Sequence, residues 1–205
     1  MMRRKNLERA VILGLLLSTG VYGSAWATDY TYGMFFNNDG ANDMADEAVD
    51  GVYSCDVTGK DEDINVKYNG IFVGDGTKHG ELVKKIILSS DKTVNIEKTY
   101  RRNSSGLEGA IEVINDHKVD IVVNADSLVL ENKKKVQQHT SAAINLDKEK
   151  SFVANVNKNI DIKGFNYTFH VGDNSIIDLQ ANNISIGRND YLYDTQSCYG
   201  VYYRY

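Results

Sequence analysis

Residues 110–130, AIEVINDHKVDIVVNADSLVL, decide the fold together with residues 143–162, AINLDKEKSFVANVNKNIDI, because the second stretch repeats the first. A third, shorter copy follows over residues 177–186. The displacement is 33 residues for the first three of the following matched pairs and 32 for the last two. The pairs are Ile111 with Ile144, Val113 with Leu146, Val119 with Phe152, Leu128 with Ile160 and Leu130 with Ile162.

Aliphatic residues alternate with polar ones in every copy, which places the aliphatic side chains on one face of an extended strand. Repetition at roughly 20–50 residues is typical of a solenoid, in which each unit buries its apolar face against its neighbours. A longer series extends the repeat along the chain at intervals of 30, 34, 32 and 24 residues. Its members are Ile64-Asn65-Val66, Val94-Asn95-Ile96, Leu128/Leu130, Ile160/Ile162 and Ile184/Ile186.

Two all-β folds use such strands, the parallel β-helix and the antiparallel sandwich. A sandwich needs tight hairpins, but the hairpin dipeptides Asn69-Gly70 and Asp75-Gly76 both precede the repeated stretch. The sequence therefore predicts an all-β, right-handed parallel β-helix with an irregular N-terminal cap. The similar pieces Val73-Gly74-Asp75-Gly76 and Val171-Gly172-Asp173-Asn174 are expected at equivalent corners of the coil.

Three segments are expected along the chain. Residues 1–27 have the features of a signal peptide: a positive start, the apolar run Ala10 to Leu17, and the small-x-small site Ala25-Trp26-Ala27. Residues 28–60 are polar and acidic and are expected to cap the first turn, since a solenoid needs an atypical terminal unit. Residues 61–205 are expected to form the rungs. The signal peptide predicts that the chain is exported.

Composition excludes some partners and gives little support to catalysis. The chain has 205 residues and a formal net charge of −5, which does not favour a nucleic-acid partner. No phosphate-binding loop or nucleophile elbow is present, and the acidic N-terminal region lacks the spacing of a calcium loop. We expect no cofactor, metal or catalytic site. The four histidines, His79, His117, His139 and His170, form no closely spaced metal-binding pair.

Some residues are weighed as functional candidates. Asp120, Asp161 and Asp178 lie between aliphatic residues, so they are expected to point outward on solvated strand faces. If these aspartates formed a cluster, they would suit a polysaccharide lyase or hydrolase. Arg101-Arg102 and Lys133 to Lys135 are interpreted as solvated loops. An aromatic cluster near the C-terminal end of the sequence is interpreted as covering the open end of the core. The alternative is a surface on which glycans stack. The members of the aromatic cluster are Tyr191, Tyr193, Tyr199, Tyr202 and Tyr203.

Residues 124–130, NADSLVL, and 180–186, QANNISI, resemble the passenger regions of bacterial autotransporter adhesins. The resemblance implies surface display at the outer membrane of a bacterium, adhesion to an unidentified protein or glycan of a host or cell surface, and a translocation barrel in the full-length protein. Residues 199–205 are expected to open another rung rather than end such a barrel, so the chain is expected to be a passenger fragment that is secreted or displayed at the cell surface. A carbohydrate-active β-helix enzyme and a purely structural stalk are the alternatives.

Two further expectations follow from the stack. Cys55 and Cys198 are expected to lie near opposite ends, about four rungs of roughly 4.8 Å apart, which is too far for a disulfide. The phase of the repeats predicts a set of inward-pointing side chains. They are Ile111, Val113, Ile121, Leu128, Leu130, Ile144, Leu146, Ile160, Ile162, Ile184 and Ile186.

Overall fold

The computed structural model describes residues 27–37, 44–75, 82–99, 107–133, 141–188 and 199–203. In these ranges the chain is a parallel β-solenoid, with 15 strands and one short 3-10 helix, Ala45–Glu47. The strands are β1 (Ala27–Tyr30), β2 (Met34–Phe36), β3 (Val52–Asp56), β4 (Asp63–Val66), β5 (Ile71–Val73), β6 (Lys85–Ser89), β7 (Thr93–Lys98), β8 (Glu108–Val113), β9 (Val119–Asn132), β10 (Ser141–Leu146), β11 (Lys150–Phe165), β12 (Tyr167–Val171), β13 (Ile176–Gln180), β14 (Asn183–Arg188) and β15 (Tyr199–Tyr203).

The strands stack in three columns, and the chain visits the columns in a fixed order on every turn. The first column contains β1, β4, β7, the second halves of β9 and β11, and β14. The second column contains β2, β5, β8, β10, β12 and β15. The third contains β3, β6, the first halves of β9 and β11, and β13. Every one of these pairings is parallel, as the sequence predicts.

The register confirms the long series of triplets. The first aliphatic of each triplet pairs with the first aliphatic of the next, from Ile64 through Val94, Leu128 and Ile160 to Ile184. One of the five predicted pairs, Val119 with Phe152, is wrong. Phe152 pairs with Ile121, and Val119 pairs with Lys150. The turn between the second and third columns differs in length from one level to the next, so a constant displacement fails there.

The core is a continuous column of aliphatic side chains. Nine of the predicted inward residues are buried, from Ile111 to Ile162. Each buried aliphatic side chain contributes about 1.5–3 kcal/mol. The prediction is wrong for Ile184 and Ile186, which are 46% and 55% exposed. They lie in phase with the core, but β14 pairs only with β11 among the described residues, so no described strand stacks on its other side.

Residues 28–60, predicted as the N-terminal cap, supply strands of the first level in all three columns. They contribute β1, β2 and β3, which pair in parallel with the strands of the following level. Between β2 and β3, Met44, Ala45 and Ala48 pack against the core. The inward side chains of β2 and β3 in this first level are buried and those of β1 are half-buried, in contrast to the exposed Ile184 and Ile186 of β14.

Two predicted local features are confirmed. Val73 and Val171 lie in the same register row of the second column, so Gly74 and Gly172 turn the chain at equivalent corners. The final strand, β15, pairs in parallel with β12 and thus opens another level, as expected for residues 199–205. In the described part of the chain, we find no helix with the length and apolar character to cross a membrane.

Residues 1–26 of the predicted signal peptide lie outside the described residues, as does Cys198. Cys55 is a buried free thiol on β3, in register with Leu88.

Candidate functional surface

The outward face of the first column carries a ladder of hydrogen-bonded polar side chains. Asp29, Asn65 and Asn95 occupy the same register row on three successive levels. Nδ2 of Asn95 donates to Oδ1 of Asn65 over 2.8 Å, and Nδ2 of Asn65 donates to Oδ1 of Asp29 over 2.9 Å. Lys67 Nζ lies 2.7 Å from the other Asp29 oxygen. Because Lys67 and Asn65 both donate to this carboxylate, the pKa of Asp29 lies below its usual value. We call Asp29, Asn65 and Asn95 the first ladder.

A second ladder follows the outward face of the third column. Nδ2 of Asn155 donates to Oδ1 of Asn124 over 3.0 Å, and Nδ2 of Asn124 donates to Oγ of Ser89 over 3.2 Å. We call Ser89, Asn124 and Asn155 the second ladder. Its members again lie in one register row on successive levels. Parallel stacking brings identical amides within hydrogen-bond distance, so the local sequence pattern of an outward Asn produces the ladder directly.

Charged side chains beside the ladders pair between levels. Asp126 accepts hydrogen bonds from Lys158 at 2.7 Å and from Asn157 at 2.9 Å, and both donors hold the pKa of Asp126 below its usual value. Lys133 contacts Glu97 in the level before it. These pairs are largely exposed, so each contributes little stability.

The acidic candidates from the sequence do point outward, and the structure does not bring them together. Asp120 accepts a hydrogen bond from Ser151 at 2.6 Å, and Asp178 accepts one from Gln180 at 3.0 Å. Both lie in the third column, two levels apart, whereas Asp161 lies in the first column. Searching the described ranges for three or more His, Cys, Asp or Glu side chains arranged to hold a metal ion finds none.

The remaining candidates are only partly described. The ring Nδ1 of His170 lies 2.7 Å from Oδ1 of Asn145 on the preceding level, and the backbone N–H of His117 donates to Asn115. Lys133 is paired as stated above. The following candidates lie outside the described residues, or are described by their backbone alone in the case of the last three. They are His79, His139, Arg101, Arg102, Lys134, Lys135, Tyr191, Tyr193, Tyr199, Tyr202 and Tyr203.

A buried polar cluster at the corner between the first and second columns escaped the sequence analysis. Lys98 Nζ lies 3.5 Å from Oε2 of Glu108, and both side chains are almost fully buried. One level on, Nδ2 of Asn132 donates to Oγ of Ser141 over 3.2 Å. Ser141 Oγ in turn donates to Oδ1 of Asn166 over 3.0 Å, on the level after that. We call these five residues the polar corner.

The signal for the polar corner was present in the sequence. Lys98 follows Val94 and Ile96 in the inward phase of β7, and Asn132 follows Leu128 and Leu130 in the inward phase of β9. A lysine in the buried phase needs a polar partner nearby, because an isolated buried charge is too costly.

A second buried lysine lies at the corner between the second and third columns. Lys150 begins β11 in the inward phase, and its Nζ donates to the backbone carbonyl of Lys148 over 2.8 Å. Burial lowers the pKa of Lys150, against the opposing effect of nearby carboxylates such as Asp147 and Glu149. This lysine is therefore held by the turn that precedes its own strand.

Comparison with known proteins gives no relative: no protein-family model, curated protein or solved structure matches the chain.

Proposed function

We propose that the chain is an exported, surface-displayed β-solenoid of the autotransporter-passenger type, which acts without catalysis in adhesion or host contact. The signal-like residues 1–27 support export, and the parallel solenoid supports the passenger-like architecture. The ligand in this proposal is a protein or glycan on a host or cell surface.

The observation that carries the proposal is the pair of outward ladders. Each ladder presents amide groups, together with the Asp29 carboxylate in the first and the Ser89 hydroxyl in the second, at the rung spacing of about 4.8 Å along a sheet face. Amide side chains both donate and accept hydrogen bonds, so such a row suits an extended polar ligand lying along the solenoid axis. Several weak contacts in one row act together, which gives useful avidity without any deep pocket.

The arrangement of the carboxylates favours binding over catalysis. Asp120 and Asp178 accept hydrogen bonds from Ser151 and Gln180, and Asp161 lies 3.5 Å from Lys163 Nζ. A glycosidase needs two carboxyl groups about 5–10 Å apart across one substrate bond. Asp120 and Asp161 face outward from different columns, which does not suit such a pair.

Binding of purified residues 28–205 to intact cultured epithelial cells and to immobilised glycans tests the proposal. Asn95→Lys places a long charged side chain in the middle of the first ladder and should weaken binding at least tenfold. Asn182→Lys makes the same change at an exposed position outside both ladders and should leave binding unchanged. Circular dichroism checks that both variants keep their β-structure.

Equal binding by the two variants would remove the first ladder from the proposal, and no binding by the unmodified chain would favour a structural stalk. Incubation with acidic and neutral polysaccharides gives a separate readout for the enzyme alternative. We expect no new reducing ends or unsaturated products. Turnover that disappears in Asp120→Asn, Asp161→Asn or Asp178→Asn would replace adhesion with a carbohydrate-active enzyme.

A further inference from the structure

The polar corner places an amine, a carboxylate and an amide together on two neighbouring levels of the solenoid. Lys98 is in register with Asn132, and Glu108 is in register with Ser141. Across the corner, Lys98 contacts Glu108 on one level, and Asn132 contacts Ser141 on the next. The four residues therefore form a square whose two vertical edges are the rung spacing of about 4.8 Å.

The Lys98–Glu108 edge of this square is almost inaccessible to solvent. The side chains of Lys98 and Glu108 are 4% and 7% exposed. Their nitrogen and oxygen are 3.5 Å apart, whereas a strong charge-assisted hydrogen bond is about 2.7–2.9 Å long. An ion pair in this position recovers little of the cost of removing two charges from water. The pair is thus a weak source of stability, and its burial calls for another explanation.

The Asn132–Ser141 edge of this square holds the Asn132 amide in a fixed orientation. Asn132 donates through Nδ2 to Ser141, which is itself held by Asn166 on the following level. Neighbouring in-register residues of a parallel sheet project their side chains on the same face. The Asn132 side chain therefore starts one rung spacing from the start of the Lys98 side chain, within reach of a flexible lysine.

We propose that Lys98 and Asn132 are joined by an intramolecular isopeptide bond, with Glu108 as the proton carrier. Glu108 first takes a proton from the Lys98 ammonium, and the neutral Nζ then attacks Cγ of Asn132, so a new C–N bond forms while the bond from Cγ to Nδ2 breaks. The protonated Glu108 gives its proton to Nδ2, which leaves as ammonia, and takes a second proton from the attacking nitrogen. The products are one secondary amide and one ammonia molecule, and no oxidant or cofactor is needed.

The bond would join successive turns of the solenoid covalently. Lys98 ends β7 and Asn132 ends β9, which are adjacent strands of the first column. The reaction also replaces the buried Lys98 ammonium and the half-buried Asn132 amide with one neutral amide, and it leaves Glu108 protonated, so both charges of the pair are removed. This inference does not depend on what the outer ladders bind.

Tandem mass spectrometry of tryptic peptides from the purified full chain tests the bond. An unmodified Lys98 is a cleavage site, whereas an acylated Lys98 is not. We expect residues 93–101 to be recovered as a branched peptide with residues 119–133, at the summed mass of the two minus one ammonia. Recovery of separate peptides, with cleavage after Lys98, would overturn the proposal.

Three variants separate this bond from other losses of ammonia. Lys98→Arg keeps the positive charge, Asn132→Ala removes the acceptor, and Glu108→Gln removes the proton carrier; each should reduce the branched peptide below detection. Asn95→Ala removes an outward amide from the neighbouring ladder and should leave the branched peptide at its original yield. Full yield in Glu108→Gln would contradict the role of Glu108.

The peptide that loses ammonia also tests the proposal. Asn69 precedes Gly70, and an Asn-Gly sequence can lose ammonia by closing on its own backbone. Loss confined to the peptide of residues 68–78, without a branch to residues 93–101, would contradict the crosslink. Loss of one water with Lys98 joined to Glu108 would contradict the assignment of Asn132 as the acceptor.

Discussion

Leu128 and Ile160 are paired in register on neighbouring turns, 32 residues apart in sequence, and both side chains are fully buried. The same row continues to Val94 and Ile64 on the preceding levels. No single turn encloses this row, because each level covers only one side of the next. Stability of the middle turns therefore depends on contacts between levels.

Leu128→Ala should lower the free energy of unfolding by about 2–5 kcal/mol, because it leaves a cavity between two covered levels. Ile186→Ala is the control, since Ile186 is 55% exposed in the last strand of the same column. It should cost less than about 1 kcal/mol. Urea denaturation followed by circular dichroism measures both. Equal losses would contradict the assignment of Leu128 to the middle of a continuous core.

The fold tolerates no residue larger than glycine at position 70. The φ of Gly70 is +66°, and a Cβ at this position would meet the carbonyl oxygen of Ala110 at 2.0 Å. Gly70→Ala therefore combines an unfavourable backbone conformation with a clash against the backbone of the next level, and should destabilise by more than about 3 kcal/mol.

Gly59→Ala is the matched control for Gly70→Ala. Gly59 has a φ of +75°, but a Cβ added there would meet no atom within 4 Å, so only the backbone cost of about 1–2 kcal/mol applies. Thermal unfolding of the two variants should separate them clearly. Similar melting temperatures would mean that β5 and β8 are not packed as closely as the structure has them.

The strand register was predictable because period-two alternation reports directly on which side chains face inward. Thus the triplets around Asn65, Asn95 and Asp161 gave the first column correctly. The match of Val119 with Phe152 failed because turn length is not encoded by alternation. The exposure of Ile184 was missed for another reason: the phase of a residue says nothing about whether a further level covers it.

The hydroxyls of the half-buried Tyr30 and the buried Tyr53 lie 2.9 Å apart, and this pair predicts a loss of stability at alkaline pH. Burial raises the pKa of Tyr53 to about 12, and burial with the neighbouring Tyr53 raises that of Tyr30. In the unfolded chain both titrate near 10.0. Between about pH 10 and 12 the unfolded chain loses protons that the folded chain keeps, so stability falls as pH rises.

The double variant Tyr30→Phe/Tyr53→Phe should remove most of this alkaline loss, which amounts to at most about 1.4 kcal/mol per pH unit for each tyrosine. Tyr32→Phe, at a side chain that is 70% exposed, should leave the pH profile as it is. Urea denaturation at several pH values from 7 to 12 measures the effect. An unchanged slope in the double variant would contradict the burial of the pair.

Cys55 predicts slow thiol chemistry in the folded chain. Its side chain is buried, and burial raises the pKa of the thiol, so little reactive thiolate is present. Native protein should react with iodoacetamide at Cys55 only on unfolding. Denatured, unreduced protein should be labelled at both Cys55 and Cys198, since the two are expected near opposite ends of the stack. A monomer with both thiols blocked would show that the chain folds back on itself.

The polar corner was harder to predict than the ladders, although both consist of side chains in register. An outward Asn on successive levels is visible in the triplets, so the contact between Asn65 and Asn95 follows from the repeat. The contact between Lys98 and Glu108 crosses a turn instead, and alternation within a strand carries no information about that turn.

The distance between spin labels along the first column tests the solenoid most directly. Asp29 connects to Ser185 in one register row, through Asn65, Asn95, Val129 and Asp161. In a Cys55→Ser/Cys198→Ser background, labels at Asp29→Cys and Ser185→Cys should be separated by five rung spacings, about 24 Å. Labels at Asn65→Cys and Ser185→Cys should be about 19 Å apart, one rung spacing less. A broad distribution, or two mean distances that do not differ by one rung, would contradict the parallel stack on which the whole account rests.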